Sequence, residues 1–232
     1  MALLQRAFEH GLAFNERLLD RAHPKPDGLL DPARFPWTAS IEARWDDLRA
    51  ELDELLASQI LLPAVDDLAG YPQGAEGDWT NFMLCSYGRW IDVNTARAPL
   101  MTELARQVPG VQVAGMTVLG PHTHLPRHRG PNRGALRYHL GLRVPDPPGS
   151  CRLQSGRQMH VWTDRSSIVF DDSVAHEAWN DSDESRYVLF VEFAWALPGA
   201  VGLLNRTTQA AFGLAARRIP ARVTALDQVL NG

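Results

Sequence analysis

Two hydrophobic periods divide the chain. In IEARWDDLRAELDELLAS (41–58), Ile41, Trp45, Leu48, Leu52, Leu55 and Leu56 recur at three- and four-residue spacing, the stripe of an amphipathic helix. Thr38 and Ser40 stand where N-caps are expected. Residues 1–20 carry helical periodicity, and 21–37, with Pro24, Pro26, Pro32 and Pro36, read as an extended connector. From about residue 78 the period falls to two. DWTNFMLCSY, VQVAGMTVLG, LRYHLGLRV, CRLQ, RQMHVW, SSIVFDD, VAHEAW and RYVLFVEFAW are short apolar or alternating runs, parted by turn-forming stretches such as VPDPPGS and WNDSDESR. One further helix, roughly 95–107, interrupts them, and the tail from 200 onward, with NRTTQAAFGLAARRI, returns to a helical period. Seven or eight short strands without strand–helix–strand alternation predict a mainly β fold with flanking helices, the strands closed or sandwiched as in a jelly roll. The chain divides as one domain: a helical and extended region at 1–75, a β core at 76–197 and a helical tail at 198–232.

Composition alters this picture little. The 232 residues are 45% hydrophobic and 22% charged, enough for one domain with a sizeable core. A formal net charge of -4 argues against a nucleic-acid partner. No long apolar run follows Arg6, Glu9 and Glu16, so neither a signal peptide nor a membrane span is expected, and the protein is expected to be cytoplasmic. Cys85 and Cys151 lack CxxC spacing and are expected to be reduced packing residues.

Chemistry gathers in two stretches. In LRYHLGL, Arg137 and His139 are two apart and share a strand face, while Tyr138 points the other way. A cation and an imidazole aimed together into a barrel are costly unless something anionic meets them. In VAHEAWNDSDESRYVLFVEF two strands flank the turn NDSDES. A hairpin centred near Asp181 sets His176 across from Arg186. A metal on His176 then holds one end of a short dicarboxylate while Arg186 forks the other. A five-carbon keto-diacid such as 2-oxoglutarate fits that span. His128 lies 48 residues before His176, on a separate strand, and two histidines with open positions suit Fe(II). Gly130 stands where a two-histidine, one-carboxylate triad would place its acid.

Other residues invite rival readings. His122 and His124 share a strand face and offer a cupin-type chelate, with His124 placed to line the pocket, but no glutamate follows before Glu177. Asp171 or Asp172, just before His176, could supply the missing carboxylate. The reading adopted is that one caps a turn and the other orients a ligand histidine. Arg127, Arg129 and Arg133 read as a solvated basic loop or as cations that steer an acidic substrate. Trp79 and Trp179 read as packing residues.

The stretches HRGPNRGALRYHLGL (128–142) and FDDSVAHEAWNDSDESRYVLFVEF (170–193) resemble the aspartyl/asparaginyl β-hydroxylase family of Fe(II)- and 2-oxoglutarate-dependent oxygenases. GDWTNFMLCSYGR (77–89) and the helix around IEARWDDLRAEL extend the resemblance from about residue 36 to about 197. It implies a double-stranded β-helix core (jelly roll, cupin-like). It implies His128 and His176 as iron ligands and Arg186 on the distal carboxylate of 2-oxoglutarate. Arg137 and His139 would meet the metal-proximal end or the substrate carboxylate, and Thr117 would support the distal carboxylate. The implied enzyme is a dioxygenase that uses Fe(II), 2-oxoglutarate as cosubstrate and O2. It hydroxylates an unactivated C–H, at Cβ of an aspartyl or asparaginyl unit in a peptide, protein or amino-acid-derived substrate. The hydroxylase branch carries glycine after His-x, whereas relatives acting on lipid acyl chains or free proline place Asp there, so Gly130 argues against those substrates. Three alternatives stand beside this. One is an oxygenase of the same fold that acts on a lipid acyl chain. Another is a halogenase, with chloride in the place left by Gly130. The third is a non-catalytic barrel that binds metal and keto acid, against which the full set of matched residues weighs. The expected partner is a small-molecule or peptide substrate, acidic in character, with no nucleic acid; the sequence does not decide the oligomeric state.

Overall fold

The computed structural model describes residues 16–21, 28–60, 62–69, 74–130 and 132–231. A helical turn at 16–21 (α1), a short strand β1 (Leu29–Leu30) and helices α2 (Trp37–Glu42), α3 (Trp45–Ala57) and α4 (Val65–Ala69) precede the sheets. Strands β2 (Trp79–Ser86) and β3 (Arg89–Trp90) lead to helices α5 (Asp92–Arg97) and α6 (Pro99–Arg106). Eight strands follow: β4 (Val111–Leu119), β5 (Thr123–His128), β6 (Ala135–Arg143), β7 (Cys151–Ser155), β8 (Gln158–Val161), β9 (Ser167–Phe170), β10 (His176–Asn180) and β11 (Arg186–Ala194). Helices α7 (Gly199–Ala215) and α8 (Ile219–Asn231) close the described chain.

The strands form a seven-stranded sheet, in the order β1-β9-β6-β11-β4-β2-β3, and a four-stranded sheet, β5-β10-β7-β8, with antiparallel pairing throughout. From β4 to β11 the chain steps back and forth between the two sheets. That is the double-stranded β-helix, or jelly roll.

Period two decides which side chains meet which layer. Phe82, Leu84, Met116, Val118, Leu136, Tyr138, Leu140, Leu189, Val191 and Phe193 turn to the outer face of the large sheet. There they pack on Ile41, Trp45, Leu48, Leu52 and Leu55 of α2 and α3 and on Met101 and Leu104 of α6. Leu48 and Leu52 are fully buried, each contributing about 2 kcal/mol. The alternate positions, among them Thr117, Arg137, His139, Arg186 and Glu192, face the interior between the sheets. The helices take the apolar half of each strand and leave the polar half for a pocket.

Several expectations need correction. The stripe expected as one helix at 41–58 is broken at Ala43–Arg44 into α2 and α3, and Thr38 lies inside α2, its hydroxyl bonded to the Pro32 carbonyl at 3.1 Å. The helix expected at 95–107 is two, since Pro99 starts a new first turn. Glu51 of α3 accepts from the amides of Leu100 and Met101 at 2.7 and 2.9 Å, supplying that turn with acceptors. The largest correction concerns NDSDES. β10 and β11 do not form a hairpin: β10 pairs with β5 and β7, and β11 with β4 and β6. The segment crosses from one sheet to the other. Asn180 holds the crossing, donating to the carbonyls of Leu119, Gly120 and Glu184 at 2.8–2.9 Å while its oxygen accepts from Ser182. Residues 1–15 and 22–27, part of the expected first helix and connector, lie outside the described residues. Both cysteines are buried and free. Among the described residues no helix is long and apolar enough to cross a membrane.

Candidate active site

His128, His139, His176, Arg137, Arg186 and Thr117 line one cavity of about 230 Å3 between the two sheets. Trp79, Met83, Leu153, Phe170 and Phe190 supply apolar walls. His128 and His176 are directly paired across the β5–β10 ladder, with ring centroids 4.2 Å apart. Nδ1 of His128 lies 2.8 Å from the Pro126 carbonyl, and Nδ1 of His176 lies 2.9 Å from that of Val174. A carbonyl can only accept, so each Nδ1 carries the proton and each Nε2 keeps its lone pair. Burial holds His176 below the ordinary imidazole range, which favours that neutral form.

The two arginines in the cavity differ sharply. The Arg137 guanidinium lies 2.8 Å from Asp172 and 3.2 Å from Glu192. Burial disfavours its charge, but Asp172 and Glu192 outweigh this and raise its pKa. Arg186 is 3% exposed, stands 5.4 Å from the Trp162 ring, and has no bonding partner for Nε or Nη1. Burial lowers its pKa to about 10. An unpaired buried guanidinium is costly, and the described residues supply it no anion. Thr117, two residues along β4 from Leu119, the partner of Arg186, accepts from the Trp79 indole nitrogen at 3.0 Å through its Oγ1. Burial pushes His139 well below the ordinary imidazole range.

The question raised by Gly130 has a packing answer. A Cβ built on Gly130 would fall inside the Asp172 carboxylate. Asp172 is 3% exposed, and its Oδ1 lies 3.3 Å from Nε2 of His176. A carboxylate does reach this corner, from β9's end rather than from residue 130. It approaches the nitrogen that is free to bind, while the other ring nitrogen is held by Val174. Asp171 caps the turn, as expected, accepting from Ser173 N and Oγ at 2.9 and 2.6 Å, and binds Arg133 at 2.6 Å. Among the described residues no three His, Cys, Asp or Glu side chains are grouped as a metal cluster.

Other candidates fall away from the cavity. His124 turns outward, stacked on Trp179 at 5.5 Å and bonded to Glu76 and Glu177. His122 bonds Asp183 instead, so the two make no chelate. Arg129 pairs with Glu16, and Arg133 with Asp20 and Asp171. These ion pairs fasten α1 to the barrel. Trp79 lines the cavity as well as packing. Glu192 was missed, although it shares strand parity with Arg186 on β11. Asn132 and Tyr87 were missed because their places depend on tertiary contacts.

Residues 42–195 match the family model described as aspartyl/asparaginyl beta-hydroxylase. The chain belongs to this family. The match contains every residue that lines the cavity. An ornithine lipid ester-linked acyl 2-hydroxylase of Rhizobium tropici is 36% identical over 76% of this chain and 64% of its own length. The human aspartyl/asparaginyl beta-hydroxylase is 29% identical over 66% of this chain, which spans 20% of that protein. A solved Pseudomonas putida prolyl-4-hydroxylase is similar at a TM-score of 0.41 and 16% identity, over 65% of this chain and 87% of that one. These relatives are named as hydroxylases, and the chain spans 64% and 20% of their lengths.

Proposed function

We propose that the chain is an Fe(II)- and 2-oxoglutarate-dependent hydroxylase whose metal is held by His128 and His176 alone. The observation that carries this is the pairing, in one cavity, of two Nε2 lone pairs with a buried guanidinium that lacks an anion. The donor set fits the metal: two neutral imidazoles leave positions open, as an Fe(II) centre binding a keto acid and O2 requires. Bound Fe(II) with 2-oxoglutarate supplies the oxidative decarboxylation to succinate that drives C–H hydroxylation. The chain's part is positioning. Arg186 takes the distal carboxylate in a charge-assisted fork, with Thr117 beside it. The Val174 and Pro126 carbonyls fix the two imidazole tautomers. Arg137, its charge met by Asp172 and Glu192, holds the shape of the reacting end and offers N–H donors there. Phe170, Phe190 and Leu153 exclude water from the reacting centre.

The substrate reading is Cβ of an aspartyl or asparaginyl unit. A second reading has a specific finding behind it: the Rhizobium relative is named for an acyl chain. Gly130 does not weigh against that reading, because Asp172 demands a glycine there whatever the substrate. The test is succinate release with Fe(II), 2-oxoglutarate and O2, comparing acidic peptides with acyl amides and esters. One class should stimulate release, and His128→Ala should abolish it. Release that no candidate stimulates, or that survives His128→Ala, would remove the hydroxylase mechanism from this cavity.

A further inference from the structure

The interior face of β11 does not end with the cavity. Its inward positions run from Arg186 through Phe190 and Glu192 to Ala194, and Ala194 lines a second, open groove of about 440 Å3. Two strand residues carry that wall about 7 Å beyond Glu192. Tyr87 lines both spaces and so forms the partition between them. The remaining walls are Arg89, Gln112 and, from α7, Arg206, Gln209 and Leu214. The α7 wall lies outside the family match, which stops at residue 195.

The groove is built in register with the inner cavity. Gln209 and Asn132 exchange paired amide hydrogen bonds, both at 2.9 Å, and Asn132 donates to Glu192 at 3.3 Å. Gln209 also donates to Asn205, which donates to the Gly134 carbonyl at 2.8 Å. The Tyr87 ring stacks on Phe212 of α7 at 6.0 Å. α7 is thus tied by buried polar groups to the residue that holds Arg137.

The charge of the groove is one-sided. Arg89 and Arg206 line it, and no carboxylate does. Arg44, Arg49, Arg152 and Arg165 elsewhere on the surface each pair with an aspartate. Arg89 and Arg206 are exposed and make no such pair among the described residues. Tyr87, Ala210 and Leu214 supply apolar surface in the same groove, and Tyr87 continues it into the inner cavity.

We propose that this groove is an outer substrate subsite that binds an anionic group, a carboxylate or a phosphate. The group belongs to an elongated substrate whose apolar stretch passes over Tyr87 to the reacting carbon. The assignment of the far end as the reacting end rests on the function proposed above. The test uses octyl phosphate, octanoate and octanol as probes, titrated calorimetrically into wild type, Arg89→Ala/Arg206→Ala and Arg186→Met. Wild type and Arg186→Met should bind an anionic probe about tenfold tighter than octanol, the effect of one to two charge-assisted hydrogen bonds. The double variant carrying Arg186→Met as well, so that the inner cavity offers no competing cation, should bind all three alike. The anion that binds tighter to Arg186→Met names the group. No charge preference in Arg186→Met overturns the proposal, and places any wild-type preference in the inner cavity. A preference in Arg186→Met that survives the added Arg89→Ala/Arg206→Ala overturns it too. The keto-acid absorption band with Fe(II) and 2-oxoglutarate is read in parallel. A band without the preference removes the outer subsite alone; the preference without a band removes the inner reading and leaves the anion subsite.

Discussion

Arg186 and Arg137 project into the same cavity from neighbouring strands of one sheet, yet their surroundings are opposite. Arg137 is met by Asp172 and Glu192, two side chains each 5% exposed. Arg186 is met by the Trp162 ring and by no carboxylate. One end of the cavity is internally neutralised; the other is left with a charge. The neutralised end holds its own shape before a ligand arrives. The other end keeps an unpaired cation, and the folded protein carries its cost.

The sharpest way to break this contrast is to remove each cation in turn. Arg137→Met strands Asp172 and Glu192 and should cost about 3 kcal/mol of stability in a urea titration, at the lower end for broken buried pairs because this guanidinium is partly exposed. Arg186→Met strands nothing and should leave stability unchanged or raise the thermal midpoint by about 2–4 °C. Equal losses in the two variants would mean that Arg186 has a partner in the fold.

Gly130→Ala probes the neutralised end by volume alone. The new methyl displaces the Asp172 carboxylate, with an expected loss of about 1–3 kcal/mol. In an Asp172→Ala background the same change should cost under about 0.5 kcal/mol. A cost that is independent of Asp172 would place the constraint in the Gly130 backbone.

Acid sharpens the other end. Burial, with Arg186 adding to it, lowers the pKa of His160 to about 4. Its folded value lies below its unfolded value near 6.5, so the unfolded chain binds the extra proton first. Stability from this group is fully present above pH 6.5 and is lost as pH falls toward 4. His160→Gln should therefore lose less stability than wild type between pH 7 and pH 4.5. Parallel losses would assign the acid sensitivity elsewhere. The smallest effect belongs to Trp79→Phe, which removes the indole donor to Thr117 and should cost about 1 kcal/mol.

What the sequence made legible was whatever period two and local spacing control. The eight expected runs all form strands, Arg137 and His139 share the interior face, and Tyr138 packs outward. His128 and His176 reach one cavity as expected. The His176–Arg186 hairpin was misread because NDSDES has the same turn chemistry whether it closes a hairpin or carries the chain between sheets. Asn180, which decides the matter, bonds to Leu119 and Gly120, some sixty residues away in sequence. The role of Asp172 was hidden for a similar reason. Its partner in space is the absent side chain of Gly130, and no spacing rule links the two positions. The tail was legible as helix, but its amide bonds to Asn132 were not, since a helical period carries no record of what a buried glutamine meets.

The central claim is that two histidines and one unpaired arginine are enough to bind Fe(II) and 2-oxoglutarate. It is tested most directly by an anaerobic titration with Fe(II) and then 2-oxoglutarate, following the visible charge-transfer band of the chelated keto acid. The band should appear in wild type and vanish in His176→Ala. In Arg186→Met the 2-oxoglutarate affinity should fall on the order of a hundredfold. Wild type that binds Fe(II) without a band, or Arg186→Met that binds the keto acid as tightly as wild type, would contradict the account.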